Sequence, residues 1–504
     1  MTDEMTREGA GRNKSGCLKG CLIVVALCVV LVVFGCIMLF VSIRSARKTY
    51  EKELAKLKAA GEPMKPGDCA PKPILADENG APQFKEAVSR YTAVVQKFDA
   101  ELQQKAAPAP SPSIQQILTT QNWSAAETDA VRGFLSREDT AEVQSLLREG
   151  ASKPRSQWPL DYSKALDINT WDLCYVLDLT NLACAEVRLK AMDGNGAAAA
   201  DLVPRAVRVA RAVEEEKLAD CVTKTVECET AVSDTVRFLL DVHDPTPDEL
   251  RRMEQALRPS GNAPGLADVL RMQRATHLSI LTTADDPVKV QEFVAKMADE
   301  GAASGPGGKP APSGKTDAQA QRDKQMALSM VAVSHRFLRP LLHSLGVQYL
   351  QNMEKAIANA EKPNPQAWQE NLKLAKQCGY TVGAKVPPAA QPANPPQGGP
   401  MALLVFPLVA ELQHSLLERD VQRDTLRIEL ALRAYWQVNG KWPDKLEDLV
   451  PEFLPELPKD PFTGLDYQVN YRNDKPQVER KPEPTGDQTE QPQPSGTEDL
   501  PAPE

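Results

Sequence analysis

Residues 313–316 (SGKT) have the residue types that close a phosphate-binding loop, in which backbone amides and a lysine hold phosphates and a hydroxyl holds magnesium. That motif requires a glycine five positions before Gly314, where this chain has Lys309. Pro310 and Pro312 would also stiffen a loop that must wrap the phosphate, and no apolar strand precedes it. The segment therefore does not predict a nucleotide site.

Five histidines occur, and no two have the i, i+4 spacing with an intervening glutamate that a helical zinc protease requires. His335 and His343, eight residues apart, come nearest to a ligand pair. There is also no Gly-x-Ser-x-Gly elbow and no glycine fingerprint after a strand. We therefore predict no catalytic residue, no metal site and no cofactor. Packed or surface positions account for the histidines, which are His243, His277, His335, His343 and His414.

Six cysteines lie outside the first 43 residues, and no pair has the two-residue separation of a zinc knuckle or redox motif. Cys221 and Cys228 lie seven residues apart, on one face of a predicted helix. Disulfides to the helix that carries Cys174 and Cys184 would be possible in an oxidising compartment. Buried free thiols fit the pattern equally well. The six residues are Cys69, Cys174, Cys184, Cys221, Cys228 and Cys378.

The elements that would position these residues are predicted to be mainly helical. The chain has 504 residues, 41 prolines, only 5% aromatic residues and a net charge of −9. This acidic balance argues against a nucleic-acid binder, which would show a basic stripe with interleaved aromatic residues. We predict a mainly α protein with an antiparallel multi-helix body.

The 23 residues from Cys21 to Ile43 contain no charged side chain. A helix of this length reaches about 34 Å, which is enough to cross a hydrocarbon core of about 30 Å. A cleaved signal peptide would be shorter and would end at small residues, and a lipoprotein signal ending at Cys36 would not continue into further apolar residues. We therefore predict a permanent N-terminal transmembrane helix, with the lipid bilayer as a partner.

Basic residues flank this segment on both sides, and those after Ile43 favour a cytoplasmic body, although Glu51 and Glu53 are interleaved with them. We nevertheless expect the protein to be anchored in the inner membrane of a bacterial envelope with its body outside the cytoplasm. This expectation depends on the C-terminal resemblance described below.

Proline-rich and glycine-rich breaks divide the rest of the chain. An extended connection is expected at residues 64–73, and the juxtamembrane helix before it is expected either to be solvated alone or to dimerise. The predicted segments are a tail (1–20), the transmembrane helix (21–43), a juxtamembrane helix (44–62), the helical body (63–298), a disordered loop (299–323), more helical body (324–385), a proline-rich linker (386–400), a C-terminal module (401–480) and a disordered acidic tail (481–504).

Local signals place several helices within the body. Ser124 with Glu127, and Thr246 with Glu249, have the spacing of capping boxes. An apolar stripe is formed by Phe84, Val88, Tyr91, Val95 and Phe98. Further periodic segments run at 169–192, 202–215, 218–242, 266–282, 288–298 and 326–360.

The C-terminal module begins with a helix whose stripe is Val421, Thr425, Ile428, Leu432 and Tyr435, and Gly440 ends it. Residues 440–443 (GKWP), 457–458 (LP) and 460–464 (DPFTG) follow. We expect a small α+β core completed by Leu446, Leu449, Phe453, Leu454, Phe462 and Tyr467, with a turn at Asp460-Pro461 aligning a β-hairpin.

These motifs resemble the globular head of type II secretion pseudopilins, over about 60 of the 504 residues. The module departs from that family because its helix is internal, has no prepilin cleavage site, and has no residues matching the family's calcium loop after Tyr467. The layout as a whole resembles uncharacterised bacterial single-span helical proteins, which carry no activity to transfer.

Three functions remain open on the sequence. The first is a non-enzymatic, membrane-anchored envelope protein that acts as a scaffold through protein contacts, linked to secretion or envelope assembly. The second is a membrane-tethered hydrolase or a ligand-binding receptor with a cleft between helices. The third is a cytoplasm-facing adaptor.

Overall fold

The computed structural model describes residues 44–106, 112–168, 170–284, 343–378, 399–472 and 475–481, and it is mainly helical, which confirms the predicted mainly α character of the body. The predicted transmembrane helix, the loop 299–323 and His335 lie outside these ranges. Among the helices of the described ranges, none combines the length and apolar character needed to cross a bilayer.

The first half of the body is built from ten helices in the described ranges, with α1 covering residues 44–59. Their bounds are Ala81–Ala106 (α2), Ile114–Thr119 (α3), Ala125–Leu135 (α4), Glu138–Ser152 (α5), Trp171–Cys174 (α6), Val176–Met192 (α7), Gly196–Ala210 (α8), Ala219–Val242 (α9) and Pro247–Leu257 (α10).

The second half contains Leu266–Ala284 (α11), residues 343–360 (α12), Asn364–Gln377 (α13), Gly399–Asn439 (α14) and the strands Gln468–Arg472 (β1) and Lys475–Glu479 (β2). Single turns of 3-10 helix occur at Pro66–Cys69, Tyr162–Asp167 and Leu446–Leu449.

Capping side chains explain where several of these helices begin. The Ser124 and Thr246 side chains each accept a hydrogen bond at 3.3 Å from the backbone amide three residues on, which confirms both predicted capping boxes. Helix α8 starts at Gly196, six residues before the predicted start, because Asn195 caps an alanine-rich turn. Alanines favour helix strongly but contribute little to an apolar period, so the pattern missed them.

Residues 64–73 are not simply extended, as the prolines had suggested. Pro66–Cys69 forms a 3-10 turn, because the Asp68 carboxylate accepts hydrogen bonds from the Met64 and Lys65 amides at 3.1 and 3.0 Å. The turn buries Cys69 against Tyr162.

Helix α1 is neither solvated alone nor free to pair with a second copy along its apolar face. Tyr50 and Leu57 are buried in a core that also contains Leu278 of α11 and Met353 of α12. Gly346 permits this packing, since a Cβ atom there would lie 2.9 Å from the Tyr50 ring. The juxtamembrane helix is therefore part of the body.

A larger core lies under α2 to α5 and α7 to α10, and the predicted stripe of α2 is buried in it along its whole length. Helices α2 and α5 cross closely at Gly150, where a Cβ atom would lie 2.9 Å from the Phe84 ring. Burial of such aromatic and aliphatic side chains is the main stabilising contribution in a helical body.

Helix α14 joins the two cores. It has 41 residues and therefore a length of about 60 Å. Val409 lies in the smaller core, whereas Leu417 and the residues after it lie in the larger one. Gly440 then takes a positive φ of 69° and ends the helix, and β1 and β2 form an antiparallel hairpin. The C-terminal module and the body thus share one core.

Candidate functional site

A cleft of about 620 Å³ opens between α7, α9 and the turn that follows α3. Its size lies within the range of small-molecule sites. On α7, the lining residues Leu177, Asn181, Cys184 and Arg188 follow one another at intervals of four, three and four positions. This spacing places them on one helix face, so the cleft floor is a single stripe of α7.

Arg188 is the charged group of this floor, and its side chain is held by aromatic rings. The guanidinium carbon lies 4.7 Å from the centre of the Trp123 ring and 5.1 Å from that of Phe238. Nη1 donates a hydrogen bond of 2.8 Å to the Thr120 carbonyl oxygen. Cation–π contacts of this kind hold an arginine in place without neutralising it.

No carboxylate forms a direct ion pair with this arginine within the described residues, and Asp234 attracts it only from a longer distance. Arg188 is only 8% exposed, its Nε is buried without a hydrogen-bond partner, and it forms no ion pair in these ranges. Burial lowers the pKa of its guanidinium, which nevertheless stays protonated because arginine does not lose its proton in proteins. The protein therefore keeps a desolvated positive charge beside an open cleft, at a cost in stability.

Asn181 adds a second uncommitted polar group. It is 7% exposed and lines the cleft, and its amide forms no hydrogen bond with any residue that the structure describes. It precedes Arg188 by seven positions, about 10 Å along the helix axis. Buried polar groups are normally hydrogen-bonded, so the buried Arg188 Nε without a partner in the described ranges is unusual, whereas the Asn181 amide stays accessible from the cleft.

The opposite wall and rim, on α9, carry negative charge. Asp234 accepts a hydrogen bond of 3.1 Å from Gln121 and lies 3.6 Å from Arg237, with its side chain 39% exposed. Glu227 pairs with Lys224 at 2.7 Å, and Asp241 also borders the cleft. The cleft thus has a cationic floor and a mainly acidic rim.

Apolar side chains form the rest of the wall. Leu118, Leu177, Val226 and Phe238 face the same space. A cleft that combines apolar walls with a few polar groups is the usual design of a small-molecule site, in which the polar groups fix the orientation of the ligand.

Cys184 also lines the cleft, but its sulfur is suited to packing rather than to nucleophilic chemistry. Burial raises the pKa of Cys184 to about 11 and that of Cys228, on α9, to about 12. Thiols with such pKa values stay protonated, and the thiolate is the reactive form. All six cysteines of the body are free thiols, and only Cys174 among them is exposed.

The described histidines pack against aromatic neighbours or pair with single side chains. His277 lies 2.7 Å from the Tyr349 hydroxyl, and burial lowers its pKa. His343 stacks on Tyr50. The histidine pair proposed from spacing is incomplete, because His335 lies outside the described residues. In the ranges that the structure covers, no three His, Cys, Asp or Glu side chains converge as metal ligands.

A second group of buried charges joins α14 to the body, and we refer to it as the joint network. Its members are Arg211, Glu229, Glu254, Arg258, Arg419, Asp420, Arg423, Asp424 and Arg427.

Glu254, at one end of the joint network, is 2% exposed. It accepts hydrogen bonds from Arg427 at 2.9 and 3.0 Å and from Arg258 at 2.7 and 3.0 Å. At the other end, Glu229 accepts a hydrogen bond of 2.6 Å from Arg211. Burial raises the pKa of Glu229, but Arg211 and the neighbouring arginines of α14 outweigh that effect and lower it. Each arginine of the network thus has a carboxylate partner.

The turn predicted at Asp460-Pro461 is organised by a buried carboxylate. Asp460 is 1% exposed and accepts hydrogen bonds from the Phe462 amide at 3.0 Å, the Thr463 hydroxyl at 2.9 Å and Arg480 Nε at 3.0 Å. The Arg480 guanidinium also lies 4.4 Å from the centre of the Phe462 ring. The predicted core residues around this turn are buried, apart from the half-buried Leu446.

In the C-terminal module three aromatic rings form a row, in which the central Trp442 is partly buried and the two outer rings are exposed. Trp442 lies 5.8 Å from Trp436 and 5.7 Å from Tyr471, measured between ring centres. Trp436 is 42% exposed and Tyr471 is 44% exposed. Exposed rings in a group are enriched at binding surfaces.

Comparisons with protein-family models, with curated proteins and with solved structures found no match to this chain. The cleft therefore stands on its own geometry. Sequence reasoning missed the cleft, although one signal was present. Arg188 occupies a position of the largely apolar helix α7 where a leucine would be ordinary.

Proposed function

We propose that the protein is a non-enzymatic, membrane-anchored protein of the bacterial cell envelope whose helical body binds a small ligand. In this proposal Cys21 to Ile43 cross the inner membrane once and the body lies outside the cytoplasm. The uncharged 23-residue segment supports the anchor. Helix α1, which follows it directly, packs into the body and would hold the cleft at a fixed distance from the bilayer.

The observation that carries the binding function is the unpaired charge of Arg188 at the floor of a cleft. A buried arginine without a carboxylate lowers stability, and strain of this kind is commonly retained where a ligand supplies the missing partner. The alternative of a hydrolase has weaker support, because the described cleft residues do not include a nucleophile next to a general base.

Ligand-dependent stabilisation of the full-length protein in mild detergent would test this function. The panel contains soluble sugars, nucleotides, dicarboxylates, amino acids and short peptides. A ligand at 100 times its Kd stabilises the folded state by about 2.7 kcal/mol, which a thermal-unfolding assay resolves. We expect at least one class to stabilise the wild-type protein but not Arg188→Met.

Arg90→Met is the matched control, because Arg90 is an exposed arginine of α2 that pairs with Glu86 and Glu142 and does not line the cleft. It should respond to ligand as the wild type does. If no class stabilises the wild-type protein in a way that depends on Arg188, the binding function is wrong.

A scaffold role is the second candidate, and the aromatic row of Trp436, Trp442 and Tyr471 favours it. In this proposal the C-terminal module is pseudopilin-like and contacts another envelope protein, linked to secretion or envelope assembly. Crosslinking in intact cells, followed by gentle solubilisation, would test it. A discrete partner that is lost in Trp442→Ala supports the scaffold, whereas the same crosslinks in both proteins contradict it.

The side of the membrane is a separate proposal with its own test. A reporter that is active only outside the cytoplasm, fused at the C-terminus, should be active if the body is external. Activity only from a cytoplasmic reporter would instead support the adaptor alternative, which the basic residues after Ile43 favour.

A further inference from the structure

The charges of the cleft restrict the chemistry of its ligand. Arg188 supplies a desolvated positive charge at the floor, and a planar guanidinium pairs best with a carboxylate or a phosphate. A phosphate would carry up to two negative charges past the acidic side chains of Glu227, Asp234 and Asp241. A single carboxylate meets less repulsion, so the rim favours the smaller anionic charge.

The acidic side chains also offer a partner to a cation. Asp234 lies across the cleft from α7, its nearest basic neighbour is 3.6 Å away at Arg237, and 39% of its side chain is exposed. An ammonium group that enters from solvent can therefore reach it. Apolar side chains line the cleft beside these two charged groups, and Asn181 lies about two turns of α7 away from Arg188.

We propose that the cleft binds a small zwitterion of amino-acid or dipeptide size, with its carboxylate on Arg188, its ammonium group on Asp234 and its apolar side chains against Leu118, Leu177 and Phe238. This inference rests on the proposed binding function and adds the class of ligand. The Asn181 amide, which also lines the cleft, offers a hydrogen bond to a further polar group of the ligand.

The volume of the cleft agrees with this class. A space of about 620 Å³ accommodates a dipeptide together with some water, and it lies in the middle of the range for small-molecule sites.

Three forms of one dipeptide test the assignment of each charge. The probes are leucyl-leucine, its N-acetyl form, which lacks the ammonium group, and its C-terminal amide, which lacks the carboxylate. Binding to the full-length protein is followed by the fluorescence of Trp123, whose ring lies against Arg188. Comparison with Trp123→Phe isolates this signal from the other five tryptophans.

We expect the free dipeptide to bind most tightly, with the amide and the acetyl form each weaker by roughly tenfold or more, as for other charged hydrogen bonds. Arg188→Met should bind the dipeptide and its amide equally weakly. Asp234→Asn should bind the dipeptide and its acetyl form equally weakly. Arg90→Met should keep all three affinities.

Equal affinity of the wild-type protein for the free dipeptide and either blocked form would overturn the zwitterion assignment. Failure of the dipeptide to bind, while another class in the ligand panel binds in an Arg188-dependent way, would overturn this assignment and leave the binding function intact. Failure of every class would overturn both. The two proposals therefore fail in distinguishable ways.

Discussion

The joint network and the ligand cleft bury arginine in opposite ways. In the joint network, Arg427 and Arg258 share the carboxylate of Glu254 through five hydrogen bonds between 2.7 and 3.2 Å. In the cleft, Arg188 contacts two aromatic rings and one carbonyl oxygen, and it has no carboxylate among the described residues. Arg188 and Arg427 are similarly buried, at 8% and 7% exposed, so these two arginines differ in charge compensation and not in exposure.

The difference has a physical meaning. Desolvating an ion costs several kcal/mol, and only a well-placed counter-ion offsets this cost. The joint network supplies the counter-ions from the protein itself, so its arginines hold α14 against α9 and α10. In the cleft no such counter-ion among the described residues is paired with Arg188, so a bound ligand would have to offset the cost of its desolvation. The presence of a carboxylate partner thus distinguishes Arg427, whose charge stabilises the fold, from Arg188, whose charge we propose is kept for binding.

Breaking the joint network should give the largest effect. Arg427→Met removes the partner of Glu254, which is 2% exposed and would keep only the half-exposed Arg258. Losing one member of a buried pair costs about 3–5 kcal/mol. Urea unfolding of the full-length protein in detergent should show this loss. A loss below about 1 kcal/mol would show that the network does not hold α14 in place.

The next effect depends on pH and concerns Asp424 in the same network. Burial raises the pKa of Asp424 to about 6, against the attraction of Arg423 and Arg427, from its ordinary value of 3.8. Because the folded state holds the proton more tightly, the charged carboxylate destabilises the fold above pH 6. This penalty fades as the pH falls towards 4.

Asp424→Asn should therefore be more stable than the wild type at pH 7.5, by about 1–3 kcal/mol at about 1.4 kcal/mol per pKa unit. The gap should shrink by about two thirds at pH 4.5. Unfolding of both proteins at each pH measures the gap, and the subtraction removes all other titrating groups. A gap that does not change with pH would contradict the raised pKa.

The same contrast explains what sequence reasoning could reach. Helices were predictable because their signals are local, as at Ser124 and Thr246, where a capping side chain lies three residues from its partner. The stripe of α2 and the turn around Asp460 also depend on near neighbours. Such features need only a few adjacent residues to be read correctly.

The cleft could not be predicted in this way. Arg188 meets Trp123 and Phe238, which lie 65 and 50 positions away, and only the tertiary packing shows that no carboxylate joins them. Arg427 and Glu254 are 173 positions apart. The sequence therefore shows neither the carboxylate that lies beside Arg427 nor the absence of one beside Arg188 in the described residues, because both depend on contacts between distant segments.

Arg188→Met should have a much smaller effect on stability than Arg427→Met. It removes a desolvated charge, which is favourable, and loses two ring contacts and one hydrogen bond, which is unfavourable. We expect these effects to leave the free energy of unfolding within about 1 kcal/mol of the wild type. Urea unfolding without ligand measures it. A loss as large as that of Arg427→Met would make Arg188 a structural residue.

Replacement of the exposed Arg90 gives the reference value against which the stability effects of Arg188→Met and Arg427→Met are compared. Its pair with Glu86 is about half exposed on both sides, at 46% and 52%. Surface pairs are screened by solvent and are worth about 0–1 kcal/mol, so Arg90→Met should change stability by less than about 0.5 kcal/mol. Unfolding should show a small difference at low salt and a still smaller one at high salt. If Arg90→Met instead cost as much as Arg427→Met, replacement by methionine would itself be harmful, and the contrast between joint and cleft would no longer report charge pairing.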